Sequence, residues 1–228
     1  MPPELGGLGP RELFLNETFF SIQGESTHAG RPCLFFRLAG CHLRCTWCDT
    51  EYAFHEGEVT TIDHCLELAR RSGAKLVEVT GGEPLLQGAV FPLLSELCDA
   101  GYEVLLETSG ATRIDRVDPR VRRIVDWKAP GSKEVSRNLP SVIDDLRDGD
   151  ELKVVLVDRA DYEWARAWLG ELIEQRDDIG TLIPVHLCPV FGRLQPKDLA
   201  GWMLEDRLPA RLNLQLHKAI WPDETRGF

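Results

Sequence analysis

Six short apolar or β-branched runs, near residues 33–38, 75–79, 103–107, 122–127, 152–157 and 183–188, recur along the chain with stretches of helical period between them. That alternation predicts a parallel α/β fold, because a strand can pair parallel to its predecessor only after a crossover long enough to carry the chain back. Ile62, Cys65, Leu66 and Ala69 fall at helical spacing, as do Val90, Leu93, Leu94 and Leu97, and then Leu139, Val142, Ile143 and Leu146. Two later stripes are Tyr162, Ala165, Leu169 and Leu172, and Leu199, Trp202 and Met203 behind Pro196, which suits a first helical turn. A closed eight-unit barrel needs about 250 residues. Six units in 228 residues therefore predict an open, partial (β/α)6 barrel, one domain over residues 1–228 with 1–15 as a loose Gly/Pro-rich N-terminal segment. The alternating run Leu212–Leu216 predicts a last strand closing one edge.

A polar segment follows each of five strands: RLAGC the first, TGGEP the second, ETSG the third, DWKAPGSK the fourth and HLCP the sixth. In a parallel β/α array the strand C-termini share one face, where such folds carry their active sites. Turn formation by Gly, Pro and Ser accounts for any one segment, but nothing in turn chemistry requires Glu83, Glu107 or Lys128. The expected partner is a small molecule. With a net charge of −11 spread along the chain, a phosphate backbone would find no counter-ion reservoir, so nucleic acid is not expected. No run approaches the roughly 18 apolar residues of a membrane span, and the start lacks the basic and apolar halves of a signal peptide. A cytoplasmic protein is expected.

Seven cysteines, three of them within eight residues, fit ligation or redox chemistry better than a secreted disulfide framework. In Cys41-His-Leu-Arg-Cys45-Thr-Trp-Cys48 the three thiolates can wrap a cubane, one sulfur to each of three irons, leaving the fourth iron open. Cys33, Cys65, Cys98 and Cys188 lie away from ligand spacing. Structural zinc is the strongest alternative, but it normally takes four protein ligands in two short-spaced pairs, and His42 directly beside Cys41 is an awkward fourth. A thioredoxin-like pair would use Cys45 and Cys48 and leave Cys41 idle.

This spacing, with an aromatic residue just before the last cysteine, resembles the signature of the radical S-adenosylmethionine (SAM) superfamily. The resemblance implies a reduced [4Fe-4S] cluster held by Cys41, Cys45 and Cys48, whose open iron chelates SAM, and reductive cleavage of SAM to methionine and a 5′-deoxyadenosyl radical. Gly81-Gly82-Glu83-Pro84 resembles the superfamily's segment for the methionyl amino group, and the missing side chain of Gly82 would let backbone approach a ligand closely. Trp47 is either a core aromatic or a contact near the adenine. Asp49 adjoins the last cysteine and joins the cofactor-binding candidates.

Further segments narrow the match. Phe20-Ser-Ile-Gln23-Gly24-Glu25-Ser26, the strand carrying Arg37, Cys48-Asp49-Thr50, Thr80-Gly-Gly-Glu-Pro, Glu107-Thr-Ser-Gly110 and Leu214-Gln-Leu-His217-Lys218 together resemble the 7-carboxy-7-deazaguanine synthase family, over about residues 16 to 221. The resemblance implies a lyase that contracts 6-carboxy-5,6,7,8-tetrahydropterin to 7-carboxy-7-deazaguanine with release of ammonia, in queuosine and 7-deazapurine biosynthesis, with SAM regenerated. It implies that Ile22 to Gly24, Arg37, Thr80 and His217 contact the substrate. It also implies that Gly82, Ser109 and the segment Asp126, Trp127 and Lys128 face SAM, and that Thr50 contacts magnesium. A homodimer and a reducing donor such as flavodoxin or ferredoxin are implied as well. The residues themselves admit alternatives. Arg37 interrupts an apolar strand and needs an anion, either a substrate carboxylate or a glutamate such as Glu25. Gln23, Gly24 and Glu25 could read the amide and amine edge of a pterin or simply form a capped turn. Lys128 is either a surface lysine or a group near the cofactor carboxylate.

Two departures from the family pattern stand out. Trp221–Phe228 follows the His-Lys pair where many members end, so a substrate contact by the terminal carboxylate is not carried over to Phe228. The fourth-strand segment reads Asp-Trp-Lys where others are richer in Ser and Pro. The nearest rival is an activating enzyme that places a glycyl radical on a partner protein; a non-catalytic zinc-binding module is the rival from another class.

Overall fold

The computed structural model describes residues 3–224, 226 and 227, so Phe228 lies outside the described residues. Among them nine strands form one mixed sheet: β1 Glu12–Ile22, β2 Pro32–Leu38, β3 Glu58–Thr61, β4 Leu76–Gly81, β5 Glu103–Thr108, β6 Arg122–Asp126, β7 Glu151–Leu156, β8 Val185–Pro189 and β9 Arg211–Leu212. The order is β3-β1-β2-β4-β5-β6-β7-β8-β9, parallel from β2 onward, with β1 antiparallel to both β2 and β3. The two end strands are not paired with each other. The result is an open partial barrel whose six central strands, β2 and β4 to β8, match the six runs in the sequence.

The helices are α1 Ile62–Ser72, α2 Val90–Asp99, α3 Pro140–Asp144, α4 Arg159–Gln175, α5 Pro196–Asp206 and α6 Leu216–Ile220. Thr61 caps α1 by accepting from the His64 amide, Asp158 caps α4 by accepting from the Asp161 amide, and Gly73 ends α1 in the left-handed region. Their apolar stripes bury Ile62, Cys65 and Ala69, then Val90, Leu93, Leu94 and Leu97, against the outer face of the sheet, where Val77, Val79, Val104 and Leu106 complete the main core.

Several sequence expectations are corrected. β1 and β3 lie outside the six anticipated runs, and residues 12–15, expected in a loose N-terminal segment, pair with β3. The register of β1 shifts between Leu15 and Glu17, so its side chains do not alternate along its whole length and the usual strand pattern is hidden. The stripe Leu139 to Leu146 yields only the five residues of α3. Arginines take the carbonyls just beyond it: Arg123 reaches Asp145 O at 2.7 Å and Arg176 reaches Leu146 O at 3.1 Å. The run Leu212–Leu216 contributes only Leu212 to β9 and then leaves the sheet, because the Leu216 amide donates to Gly24 O at 3.0 Å and Gln215 donates to Glu25 Oε1 at 2.8 Å.

Strand alternation sends Cys33, Phe35 and Arg37 of β2, Leu76, Glu78 and Thr80 of β4, Leu105 and Glu107 of β5, Ile124 and Asp126 of β6, and Lys153 of β7 into the barrel interior. Its lower part is a small apolar cluster of Phe19, Cys33, Phe35, Leu76, Leu105 and Ile124. Above it the interior is polar. The loop from Gln23 to Arg31, closed by Gly30 N to Gln23 O and Gln23 N to Arg31 O bonds of 2.8 Å each, packs into the barrel. There Glu151 accepts from the Thr27 amide at 2.9 Å and bonds His186 Nε2 at 2.6 Å.

Outside the interior, the one fully buried arginine side chain among the described residues is that of Arg123, 1% exposed. It meets Asp150 with Nε at 3.0 Å from both carboxylate oxygens and also donates to Ile114 O at 3.1 Å. Removing one member of such a pair strands a buried charge. Asp150→Ala should therefore lose about 3–5 kcal/mol of stability, read as a lowered midpoint in denaturant titration. A change under about 1 kcal/mol, the range of exposed pairs, would contradict this account.

Candidate active site

The strand C-termini open into a cavity of about 600 Å³, within the range typical of small-molecule sites. Cys41, Cys45 and Cys48 line one wall on the loop after β2, and none of the three is in a disulfide. The loop is folded tightly. The Cys48 amide donates to Cys45 O at 3.2 Å, the Leu43 amide approaches Cys41 Sγ at 3.4 Å, and Thr50 Oγ1 lies 3.7 Å from Cys48 Sγ. Burial pushes the Cys41 thiol up and the Cys45 thiol to about 11, with Lys128 pulling the other way. Such thiols are protonated until a metal displaces the proton.

Glycines set how closely this loop approaches β4. A Cβ on Gly82 would sit 2.2 Å from Gly40 O and 3.0 Å from Cys41 Cβ, and one on Gly81, at φ +147°, would sit 2.2 Å from Leu38 O. Only the absence of side chains lets the TGGEP segment lie against the cysteine loop. Gly82 itself faces the cavity, but Glu83 does not: it is fully buried and accepts from Thr108 Oγ1 at 2.9 Å and the Ser109 amide at 2.8 Å. Glu83 thereby fixes Ser109 at the cavity wall, a positioning role in place of the expected cofactor contact.

Asp126 and Lys128 line the same wall, paired at 2.9 Å, and Asp126 Oδ1 is buried without a protein partner. Lys128 is not the surface lysine of the bland alternative. Burial opposes its charge, yet Asp126 holds its pKa above the ordinary value. Trp127 between them points the other way, into the main core, stacked on Trp168 with centroids 5.5 Å apart. Its expected place beside the cofactor is corrected by simple alternation along β6. Trp47, Asp49 and Thr50 also line the cavity, with Asp49 ion-paired to Lys218.

The opposite side carries Ile22, Gln23, Gly24, Glu25, Arg37, Thr80 and His217. Gly24 is another close approach, since a Cβ there would meet His217 Nδ1 at 2.4 Å. Burial pushes the His217 pKa down, which favours the neutral ring. Arg37 pairs not with Glu25 but with Glu17, its cross-strand neighbour, through Nε at 2.7 Å. Tyr52 donates to the same Glu17 oxygen at 3.0 Å, and Phe19 lies under the guanidinium at 5.4 Å. That leaves the outer guanidinium edge, its two Nη groups, without a protein hydrogen bond among the described residues, on a side chain that lines the cavity and can take a carboxylate in bidentate fashion. Glu25 is instead paired with Lys153, which also bonds Glu107.

Glu17, Glu78 and Lys153 were missed in the sequence. The signal for Glu78 and Lys153 was the one that marked Arg37, a charge inside an apolar strand. Glu17 sits in the unrecognised β1.

The sequence pattern of the Radical SAM superfamily matches residues 37–127, from Arg37 through the cysteine loop to the end of β6. A 7-carboxy-7-deazaguanine synthase of Chlorobaculum tepidum is 47% identical over 218 residues, 94% of this chain and 97% of that protein. One of Koribacter versatilis is 41% identical over 93% of this chain and 99% of its own length. The chain belongs to the 7-carboxy-7-deazaguanine synthase family. The solved structure of QueE from Escherichia coli has the same fold, with a TM-score of 0.72, 24% identity and coverage of 90% of this chain and 94% of that one.

A radical SAM enzyme of this family uses a [4Fe-4S] cluster and SAM, and the cavity fits both. Three free thiols share one wall, and the orphaned Asp126 Oδ1 and the Ser109 hydroxyl lie in reach of the same space. Among the described residues no three His, Cys, Asp or Glu side chains converge on a single-ion site, and no helix is long and apolar enough to cross a membrane. Gly82→Ala should leave a folded protein with a markedly lower iron and sulfide content after anaerobic reconstitution. Gly88→Ala, where a Cβ meets nothing within 4 Å, should not. Equal cluster content in both variants would contradict the close-approach role.

Proposed function

We propose that this chain is the lyase that converts 6-carboxy-5,6,7,8-tetrahydropterin to 7-carboxy-7-deazaguanine with release of ammonia, a step toward queuosine and related 7-deazapurines. The observation that carries this reading is the pairing of a cysteine wall with Arg37, which lines the same cavity with an outer guanidinium edge that no described residue hydrogen-bonds. When bound, the cluster and SAM supply the radical that abstracts a hydrogen from the pterin ring. The chain's residues do the rest. Arg37, held by Glu17 and Phe19, receives the substrate carboxylate, and Gln23, Gly24, Thr80 and His217 surround the heterocycle. Cys41, Cys45 and Cys48 hold the cluster, while Gly82, Ser109, Asp126 and Lys128 orient SAM. Trp47 and Asp49 flank the same space. Thr50 contributes one hydroxyl to magnesium, an ion that keeps waters and completes its shell with substrate oxygens.

A charged cavity of about 600 Å³, the size of a small-molecule site, favours this reading over a glycyl-radical activating enzyme, whose protein substrate needs an extended docking surface. A homodimer and a flavodoxin or ferredoxin donor belong to the same proposal. The test is incubation of reconstituted protein with dithionite, SAM, magnesium and the carboxypterin, with products identified by mass. A 7-deazapurine is expected. 5′-Deoxyadenosine without it would keep the superfamily and overturn the reaction.

Arg37→Lys tests the anchor. Lysine keeps the charge but loses the planar fork, so pterin binding should weaken at least about tenfold, roughly 1.4 kcal/mol. Pterin affinity unchanged with a lowered melting temperature would make Arg37 a scaffold residue alone.

A further inference from the structure

Glu78 sits at the bottom of the cavity, on β4 below Thr80, and is 2% exposed. One of its carboxyl oxygens, Oε2, accepts from Gln23 Nε2 at 3.1 Å. Gln23 is itself fixed, because its own carbonyl oxygen accepts from the Glu25 amide at 2.8 Å. Among the described residues no hydrogen bond is donated to the second oxygen, Oε1, and Glu78 lines the cavity. A buried carboxyl group with an unmet oxygen is costly unless something supplies a partner.

The surroundings say what that partner must be. Glu78 is faced by Glu107 from β5, by Glu25 from the loop after β1, by Lys153 from β7 and by the Cys33 thiol from β2. The single ammonium, that of Lys153, is already shared between Glu25 and Glu107, and Glu78 adds a third carboxyl group, so the cavity floor offers acceptors in excess of donors. A ring carbonyl placed there meets acceptors, whereas a ring N–H or amino group meets the donor-hungry surface that complements it.

Resting on the lyase reading above, we propose that Glu78 is a specificity-determining residue whose free oxygen accepts a hydrogen bond from the amino-bearing pyrimidine edge of the substrate. It thereby selects a 2-amino-4-oxo heterocycle over its 2,4-dioxo counterpart. Burial, then Glu107 and Glu25, push the Glu78 pKa up to about 8, and an N–H donated by the ligand to the free oxygen brings it down again by favouring the ionised, acceptor-only form. The sign follows. A carboxyl whose folded pKa is raised favours folding below its unfolded pKa, and that contribution is lost as pH rises through the folded value. Above that pH the ionised Glu78 burdens the free protein, a cost retained for binding rather than stability.

Glu78→Gln separates the two roles, with oxidised 6-carboxypterin and 6-carboxylumazine as probes on cluster-loaded protein with SAM. Wild type should bind the pterin at least about tenfold more tightly than the lumazine, since a site built around a hydrogen bond rejects the analogue that lacks it. In Glu78→Gln the pterin should weaken by about tenfold and the lumazine change less than about threefold. The melting temperature at pH 8.5 should stay level or rise. A purely structural Glu78 predicts the reverse, a lowered melting temperature with both affinities moving together, and that result overturns the proposal. So does a wild type that turns over the pterin yet binds both probes alike, a comparison that needs no variant. Wild type that makes no deazapurine and binds neither probe would sink the lyase reading, and this one with it.

Discussion

The barrel interior has to accommodate charge where folds of this kind usually place branched apolar residues, and one ammonium makes that possible. Lys153, 6% exposed, bonds Glu25 from the loop after β1 and Glu107 from β5. Burial opposes its charge, but the two carboxylates hold its pKa well above the ordinary value. This triad joins β7, β5 and the loop around the cavity, and Thr80 joins it by donating to Glu107 at 3.0 Å. Without it the loop carrying Gln23, Gly24 and Glu25 would rest on unpaired carboxylates. The Thr27 and His186 bonds to Glu151 anchor the same loop from below. The side of the cavity proposed for the substrate is thus preorganised by ion pairs buried in the barrel, not by loop packing alone.

The cysteine side depends on a different constraint, backbone proximity. Gly81 and Gly82 let the end of β4 lie against the cysteine loop, and Glu83 turns inward to hold Thr108 and Ser109 in place. The two halves meet at Arg37, which emerges between the β2 cysteine loop and the β1 glutamate. The cross-strand register brings Glu17 opposite Arg37, and the irregularity between Leu15 and Glu17 is what sets that register. The same irregularity that obscures β1 in the sequence therefore helps aim the guanidinium.

Much of this was legible without coordinates. The six parallel strands are short apolar runs with clear helical stripes between them, and period decides such segments. The cysteine loop and TGGEP are local words whose spacing carries their chemistry. What the sequence hid was whatever depends on which face a side chain takes or which distant group it meets. Trp127 looked like a cofactor contact because it stands between Asp126 and Lys128, and alternation along β6 turns it into the core. Arg37 was known to need an anion, but Glu17 lies on a strand whose bulge erased its pattern. Glu78 and Lys153 each carry the signal of a charge inside an apolar strand, but only the strand register shows that they face one cavity. α3 stopped early because arginines 123 and 176, remote in sequence, capture the carbonyls beyond its end.

The central claim is that the three thiols at one wall of this cavity hold a redox cluster that SAM meets directly. Iron and sulfide analysis of anaerobically reconstituted protein, joined to electron paramagnetic resonance of the reduced form with and without SAM, tests it most directly. The account predicts iron and sulfide in equal, cubane stoichiometry and a reduced-cluster signal that changes on adding SAM, with both lost in Cys41→Ala, Cys45→Ala and Cys48→Ala and kept in Cys65→Ala. Stoichiometric zinc without sulfide, or a cluster signal indifferent to SAM, would contradict it.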